Sequence, residues 1–592
     1  MEIKIQGRWL TYLLRSGFKA LSVLAVVGLL VPKALVIGIL SGWIISHVTL
    51  PTDGVLREIA NRPYISSVAL VFLFLALDAL VIYPWMRDPL RSLPSTSVSR
   101  ASKDLRKAHG APCSAMIAES PRGKSALAAM RDYPDASLIR LEGRYAVLCA
   151  GHDALRDILS THAADFEKPW PVRSFLARAL GWGVIVTEGP LHHRQRRILN
   201  PVFHIGKIRM LYGLMWTKVL IFAEKLEEIL HEGPKKTKDG WVEVEIAELA
   251  SRLTLDIIGP AAMGRDFQSL TSNETKVSDA YQELLRPSFG RMIFAALNFT
   301  LPQWIVKWLP LSSNRILDEI CSFLEATCGE ILQEKKREIA EGKNSLPDYS
   351  ILKRIIETGG LTDEEIKDQM LTFLAAGHET TAGALTWASY LCAKRPEIQR
   401  KLRAEIHARL EYVGGQPPEG VSWDVLEAMP YLNGFCEEVL RLYPTVPVTV
   451  REAQRATCVA GYRVARGTEF LLVPYATNRN PCAWGGDADK IVPERWIDVD
   501  STTGVARPNK TGGTTSNFAS LTFLHGPRAC IGQDFAKAEL RCAVAGLVGG
   551  FEVKLREDQG EPKSSGVITA KAEGGMRLLF KKAVGEEERE DT

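Results

Sequence analysis

The segment Phe523-Leu524-His525-Gly526-Pro527-Arg528-Ala529-Cys530-Ile531-Gly532 places one cysteine between glycines and runs into a helical pattern over 533–548. Glycine lets a backbone turn tightly and approach a flat partner closely. A thiolate is a strong soft-metal ligand, and backbone N–H groups with a helix N-terminus stabilise its charge. Zinc normally takes three or four protein ligands, so a lone thiolate held open toward a large ligand suits haem iron better. A random cysteine is usually a buried structural residue. The combined spacing Phe-x-x-Gly-x-Arg-x-Cys-x-Gly sets Cys530 apart from that case.

Three further groupings carry chemical potential. Ala376-Gly377-His378-Glu379-Thr380-Thr381 lies inside a long helical pattern that opens with the capping box Thr362-Asp363-Glu364-Glu365 and runs to Ala393. Glycine in a helix interior costs about 1 kcal/mol relative to alanine, so Gly377 asks for a reason. A threonine hydroxyl there can bond back to the preceding turn and bend the helix. His192 and Arg196, in the basic run 189–197, share a helix face at their spacing of four. Glu438 and Arg441 share another face ahead of Tyr443-Pro444, with Arg451 and Pro493-Glu494-Arg495-Trp496 further on. Singly, each of these reads as ordinary core or solvated helix face; their order and distance to Cys530 give them weight.

Taken together, these motifs resemble the cytochrome P450 monooxygenases, over about four-fifths of the chain. The resemblance implies a mainly α fold with small β-sheets, haem b (iron protoporphyrin IX) as cofactor, and Cys530 as the axial metal ligand. It implies that Phe523 packs beside the sulfur, that Gly526 and Gly532 shape the loop, and that Arg528, His192, Arg196 and Arg451 contact the haem propionates. Ala376 and Gly377 would leave room for oxygen, with Thr380 and Glu379 as catalytic residues controlling proton delivery. His378 reads as a neighbour only. Glu438, Arg441 and Arg495 would form a structural charged triad. The stretches 446–450, 170–186 and 568–571, with Phe373, would line the substrate pocket. A cysteine thiolate pushes electron density onto iron and favours O–O cleavage.

The elements that position these groups follow from the pattern. A short hairpin is expected over 137–142 and 145–149 around Gly143, then helices over 153–162, 193–199, 205–231 and 243–263. Pro396 opens a helix to about Leu410, and Pro430 another that ends at Tyr443. The Thr, Gly, Ser and Asn-rich stretch 501–520 reads as a surface loop. With 592 residues, 46% hydrophobic and 24% charged, the composition is that of a globular chain. The net charge of +4 makes no case for nucleic acid, and the 10 cysteines form no CxxC pair, which argues against a disulfide scaffold or structural zinc.

Before the catalytic unit, 20–48 and 64–83 are apolar runs long enough to span a bilayer as a helical hairpin, the second carrying Asp78. Lys4, Arg8, Arg15 and Lys19 precede them, and Arg87, Arg91, Arg100, Lys103, Arg106 and Lys107 follow, while Arg57 and Arg62 between them are offset by Asp53 and Glu58. Positive residues mark the cytoplasmic side, so both ends read as cytosolic. Pro32-Lys33 interrupts the first run and leaves one or three spans as alternatives. The expected organisation is a cytosolic N-terminus 1–19, an anchor 20–84, a hinge 85–100, a catalytic domain 101–582 and an acidic tail 583–592.

The expected activity is insertion of one oxygen atom from O2 into a hydrophobic molecule, terpenoid- or fatty-acid-like, in the manner of fungal secondary metabolism. No GxGxxG or flavin segment is present, so electrons are expected from a separate NADPH–cytochrome P450 reductase, with cytochrome b5 as a further donor, at the endoplasmic reticulum membrane. A reductase-independent haem-thiolate isomerase or dehydratase is one alternative, disfavoured by the Glu379–Thr380 pair. A non-catalytic membrane haem protein is another, disfavoured by the complete motif set.

Overall fold

The computed structural model describes residues 90–96 and 119–583, apart from 142–145, 233–236, 238, 273–275, 286–288, 301–302, 343–349, 413–416 and 567. The two apolar runs 20–48 and 64–83, the cytosolic N-terminus 1–19 and the tail from 584 onward lie outside the described residues. Among the described residues no helix is long and apolar enough to cross a membrane.

The 32-residue helix Asp363–Lys394 is the spine of the catalytic unit. Its start is fixed by a reciprocal capping box: Glu365 N–H donates to Thr362 Oγ1 at 3.3 Å and Thr362 N–H to Glu365 Oε2 at 3.0 Å. Asp363, Glu364 and Glu365 in the first turn and Lys394 in the last complement the helix dipole. From Thr381 onward nearly every side chain is buried, so this half behaves as a core helix with apolar neighbours all round. It packs along Ile246–Ile258 and against Gln533–Gly550, the helix that follows Cys530.

The larger sheet orders its strands Ser95–Thr96, Leu138–Leu141, Ala146–Cys149, Glu469–Leu472, Thr449–Ala453 and Phe166–Glu167. Leu138–Leu141 and Ala146–Cys149 pair antiparallel, as the hairpin pattern predicts. A three-stranded sheet joins Phe551–Lys554, Arg577–Lys582 and Val242–Glu245. The architecture is thus mainly helical with small sheets.

Several boundaries differ from expectation. The larger sheet reaches back into the expected hinge, where Ser95–Thr96 pairs in parallel with Arg140 and Leu141. The predicted helix 243–263 opens as a strand, Val242–Glu245; its alternating burial suits an edge against Arg577–Lys582. The predicted helix 205–231 is two, Ile205–Arg209 and Tyr212–Glu232. The stretch 170–186 opens with the helix Trp170–Leu180 before a glycine-bounded loop. The predicted surface loop 501–520 contributes Ala506–Pro508 to a two-stranded ribbon with Ile497–Val499.

Candidate active site

Cys530 sits at the end of a coiled loop. Its N–H donates to Phe523 O at 2.8 Å, closing the turn. Leu524 and Gly526 both have positive φ, 54° and 73°. A Cβ on Gly526 would lie 1.8 Å from Leu159 O, so only glycine fits this close approach. Gly532, by contrast, borders open space and caps the helix Gln533–Gly550; its N–H donates to the Cys530 sulfur. The sulfur lies deep among protein atoms, yet the residue is exposed on one side. Burial pushes the thiol up from its ordinary value, while the Gly532 N–H and the Arg196 guanidinium pull it back. A ligand that replaced solvent and supplied positive charge would hold it as thiolate.

Cations gather beside this loop, Arg451 buried and the others partly so. Arg528 Nε bonds Glu188 Oε2, and its Nη1 donates to Ala163 O at 2.7 Å. Lys168 donates to the same carboxylate from Nζ and from its backbone N–H, each at 3.1 Å. Arg451 is almost wholly buried and donates from Nη1 to Val450 O at 2.8 Å and to Thr449 Oγ1 at 3.3 Å. Burial brings Arg451 down to about 10 and Lys168 to about 8. Burial alone would raise Glu188, but Lys168, Arg528 and Arg451 hold it at about 2. Burial also lowers His192 to about 4, so it is neutral at pH 7 and can meet an anion only as a hydrogen-bond donor. Arg196 donates from Nη1 to Ala529 O at 2.6 Å, and Arg194 on the same helix pairs with Glu365. One short helix, Gly189–Leu199, therefore ties the cysteine loop to the start of the long helix.

Residues 124–578 match the family description "Cytochrome P450". The chain belongs to the cytochrome P450 family. It is 34% identical over 539 residues to cytochrome P450 monooxygenase FUM15 of Gibberella moniliformis, covering 84% of this chain and 89% of that one. It is 38% identical over 405 residues to cytochrome P450 monooxygenase sphH of Aspergillus fumigatus, covering 68% and 72% respectively. Cytochrome P450 monooxygenase ALT8 of Alternaria alternata is 37% identical over 484 residues, covering 73% and 80%. The P450 is accordingly a haem-thiolate monooxygenase, an oxidoreductase with haem b as its cofactor.

The residues present fit that group. Arg451 is buried and Lys168 and Arg528 are partly buried; Lys168 and Arg528 pair with the buried carboxylate Glu188, whose charge also acts on Arg451. A dianionic porphyrin would balance the remainder, and an accessible sulfur flanked by an N–H donor suits a soft metal.

On the long helix, Thr380 Oγ1 donates to Ala376 O at 2.8 Å, the back-bond anticipated for a mid-helix threonine. Glu379 is buried with His378 Nε2 at 3.4 Å and Lys571 Nζ at 2.5 Å. Burial would raise its carboxyl, but His378 and Lys571 hold it below the ordinary value. His378 itself is wedged against the Tyr281 ring at 4.6 Å and bonds Leu374 O. Gly377 has a packing reason: a Cβ there would lie 2.8 Å from Ile258 Cδ1 and Cγ1, on the helix that crosses it. Phe373 meets Phe203 edge to face at 5.3 Å. Thr381 faces Glu539 of the cysteine helix, whose carboxyl burial raises well above the ordinary range.

Behind the loop, Glu438 accepts from Arg441 Nε at 2.6 Å and Nη2 at 2.7 Å, from Val492 N–H at 2.8 Å and from Trp496 Nε1 at 2.9 Å. Arg495 is the looser member, 3.7 Å from Glu438 and closer to Asp487 at 2.9 Å. The network reaches the site through Asn478, which bonds Arg441 O, Thr522 Oγ1 and Leu521 N–H.

Sequence reasoning missed Lys168 and Glu188, and placed Lys571 only as pocket lining, not as the partner of Glu379. Glu188 had one local signal, an acid immediately before the helix-opening Gly189-Pro190. Lys168 had none, because its partner is distant in sequence. Of the expected pocket residues, Ile568 is exposed.

Proposed function

We propose that this P450 hydroxylates or otherwise oxygenates a hydrophobic, terpenoid- or fatty-acid-like small molecule in fungal secondary metabolism. Electrons come from a separate NADPH-dependent reductase. The runs 20–48 and 64–83 anchor it in the endoplasmic reticulum membrane with the catalytic domain in the cytosol. The single observation that carries the reaction class is the exposed Cys530 on its glycine-framed loop beside the cation cluster. The substrate class rests on the apolar character of the expected pocket stretches. The anchor rests on hydropathy and on the positive flanks.

Haem bound through Cys530 supplies oxygen activation, which no protein side chain can supply alone. Arg528, Arg451, Lys168 and Arg196 would hold its carboxylates, with His192 as a neutral donor. Thr380 spends its hydroxyl proton on Ala376 O, so its oxygen is free to accept a hydrogen bond. To donate, it must rotate away from that carbonyl. Glu379 is kept as a carboxylate by His378 and Lys571, ready to take up a proton and pass it on to Thr380.

The test is the absorption of the reduced carbon-monoxide complex of Cys530→Ala and Cys530→His expressed beside wild type. Both variants lose the thiolate-haem band if the assignment is right. An unchanged band in either would remove Cys530 as ligand.

A further inference from the structure

Midway along the long helix, two neighbouring side chains stand one proton short. His378 Nδ1 bonds Leu374 O at 2.6 Å, and a carbonyl only accepts, so Nδ1 carries the hydrogen. The other ring nitrogen, Nε2, faces Glu379 Oε1 at 3.4 Å. Both atoms are buried, and neither has a hydrogen-bond partner among the described residues. One further proton between them would satisfy both.

The charge that answers Glu379 instead sits on its other oxygen, where Lys571 Nζ lies 2.5 Å from Oε2. The two partners differ in access to water. The Glu379 side chain is 3% exposed and that of Lys571 29%. His378 is wholly buried, as is Tyr281, whose ring closes the far side of the imidazole at 4.6 Å. Of these four side chains, Lys571 alone has a substantial exposed part. The backbone on either side is pinned. Thr254 Oγ1 donates to His378 O at 2.9 Å. Ala572 pairs with Ser564 in an antiparallel ribbon, and Ala570 N–H donates to Thr445 O at 2.8 Å. What remains free to move is the flexible four-carbon stem of Lys571.

We propose that Lys571 is a positioning residue for proton delivery: its ammonium holds Glu379 charged, and its swing into solvent lets one proton load onto Glu379 Oε1, facing His378 Nε2. This rests on the role given above to Glu379 and Thr380. On release, one O–H bond forms at Glu379 with a proton drawn from water along the vacated path, and no other bond changes. Burial alone would raise the Glu379 carboxyl, and Lys571 is one of the two groups that reverse this. Without the ammonium, a neutral acid beside a neutral imidazole is favoured over a buried carboxylate with no cation on Oε2. When the acid gives up its proton, the carboxylate reforms and Lys571 returns.

The test uses the full-length holoenzyme. The infrared difference between Lys571→Met and the double variant Lys571→Met/Glu379→Gln should contain a protonated-carboxyl C=O stretch that shifts in D2O. The difference between wild type and Glu379→Gln should contain none, and Lys571→Arg, which can still pair, should also lack it. Substrate-free NADPH oxidation with added NADPH–cytochrome P450 reductase should slow about tenfold in Lys571→Met, with a larger solvent isotope effect, and recover in Lys571→Arg. The carbon-monoxide band should stay intact throughout. Absence of the carboxyl band from Lys571→Met overturns the proposal, as does an unchanged isotope effect there while Glu379→Gln alters it. An unchanged isotope effect in Glu379→Gln as well overturns the reading of Glu379 and Thr380 on which it rests. Should Lys571→Met fail to incorporate haem, Lys571→Gln takes its place in both measurements.

Discussion

Gly377→Ala sets two known effects against each other. Alanine gains about 1 kcal/mol of helix propensity over glycine. The added Cβ would meet Ile258 Cδ1 and Cγ1 at 2.8 Å, where unstrained carbon contacts sit at about 3.5–4.0 Å. Ile258 is 3% exposed and has nowhere to retreat, so overpacking costs about 1–3 kcal/mol. The expected sum is a loss of up to about 2 kcal/mol. Ile258→Ala removes both offending atoms and by itself costs about 2–5 kcal/mol as a cavity. In the double variant the new methyl occupies part of that cavity, and the alanine propensity gain is no longer opposed. The coupling energy should therefore favour the double variant by about 1–3 kcal/mol. Urea unfolding of the four proteins, read by loss of the thiolate-haem band, measures it. Additivity within about 0.5 kcal/mol would refute the packing account of Gly377.

Thr380→Ala should keep the reduced carbon-monoxide band but consume reductant without matching product; full coupling of the two would remove Thr380 from proton delivery. Glu438→Gln leaves Arg441 as an uncompensated buried charge and should cost about 3–5 kcal/mol in the same urea assay, with a cost under 1 kcal/mol counting against the network. Asp368, which lies against the backbone of Gly181 and Trp182, is raised from 3.8 to about 6, chiefly by burial. The folded state then binds more protons than the unfolded one between these values, so stability falls as pH rises from about 4 to about 6. The full penalty above that window is about 2–3 kcal/mol. Asp368→Asn should flatten that part of the stability profile relative to wild type, and an unchanged slope would show that the carboxyl is not the cause.

What the sequence made legible was what short-range chemistry encodes. The Thr362 capping box, the helix it starts and the glycine-framed cysteine loop all depend on residues within a few positions of one another. The Glu438–Arg441 pair was readable for the same reason, at three residues apart. Its other side-chain donor, Trp496 Nε1, stood just past the expected Arg495, and Arg495 proved the looser contact. Lys168 and Glu188, and the pairing of Lys571 with Glu379, were invisible because each matters through a residue far along the chain. The strand Val242–Glu245 was hidden likewise: its apolar residues suit either a helix or an edge, and pairing with Arg577–Lys582 decides. Gly377 was recognised as costly in a helix, but its close neighbour on Ile246–Ile258 could not be read from its own surroundings.

Glu188 gives the basic cluster a counterion that the polypeptide carries itself. Three like charges crowded together would resist closure of this region during biosynthesis, whereas a shared carboxylate lets it condense ahead of time. Cofactor insertion can then be a late step of maturation into a nearly finished receptacle, and the chain need not wait for porphyrin supply in order to fold.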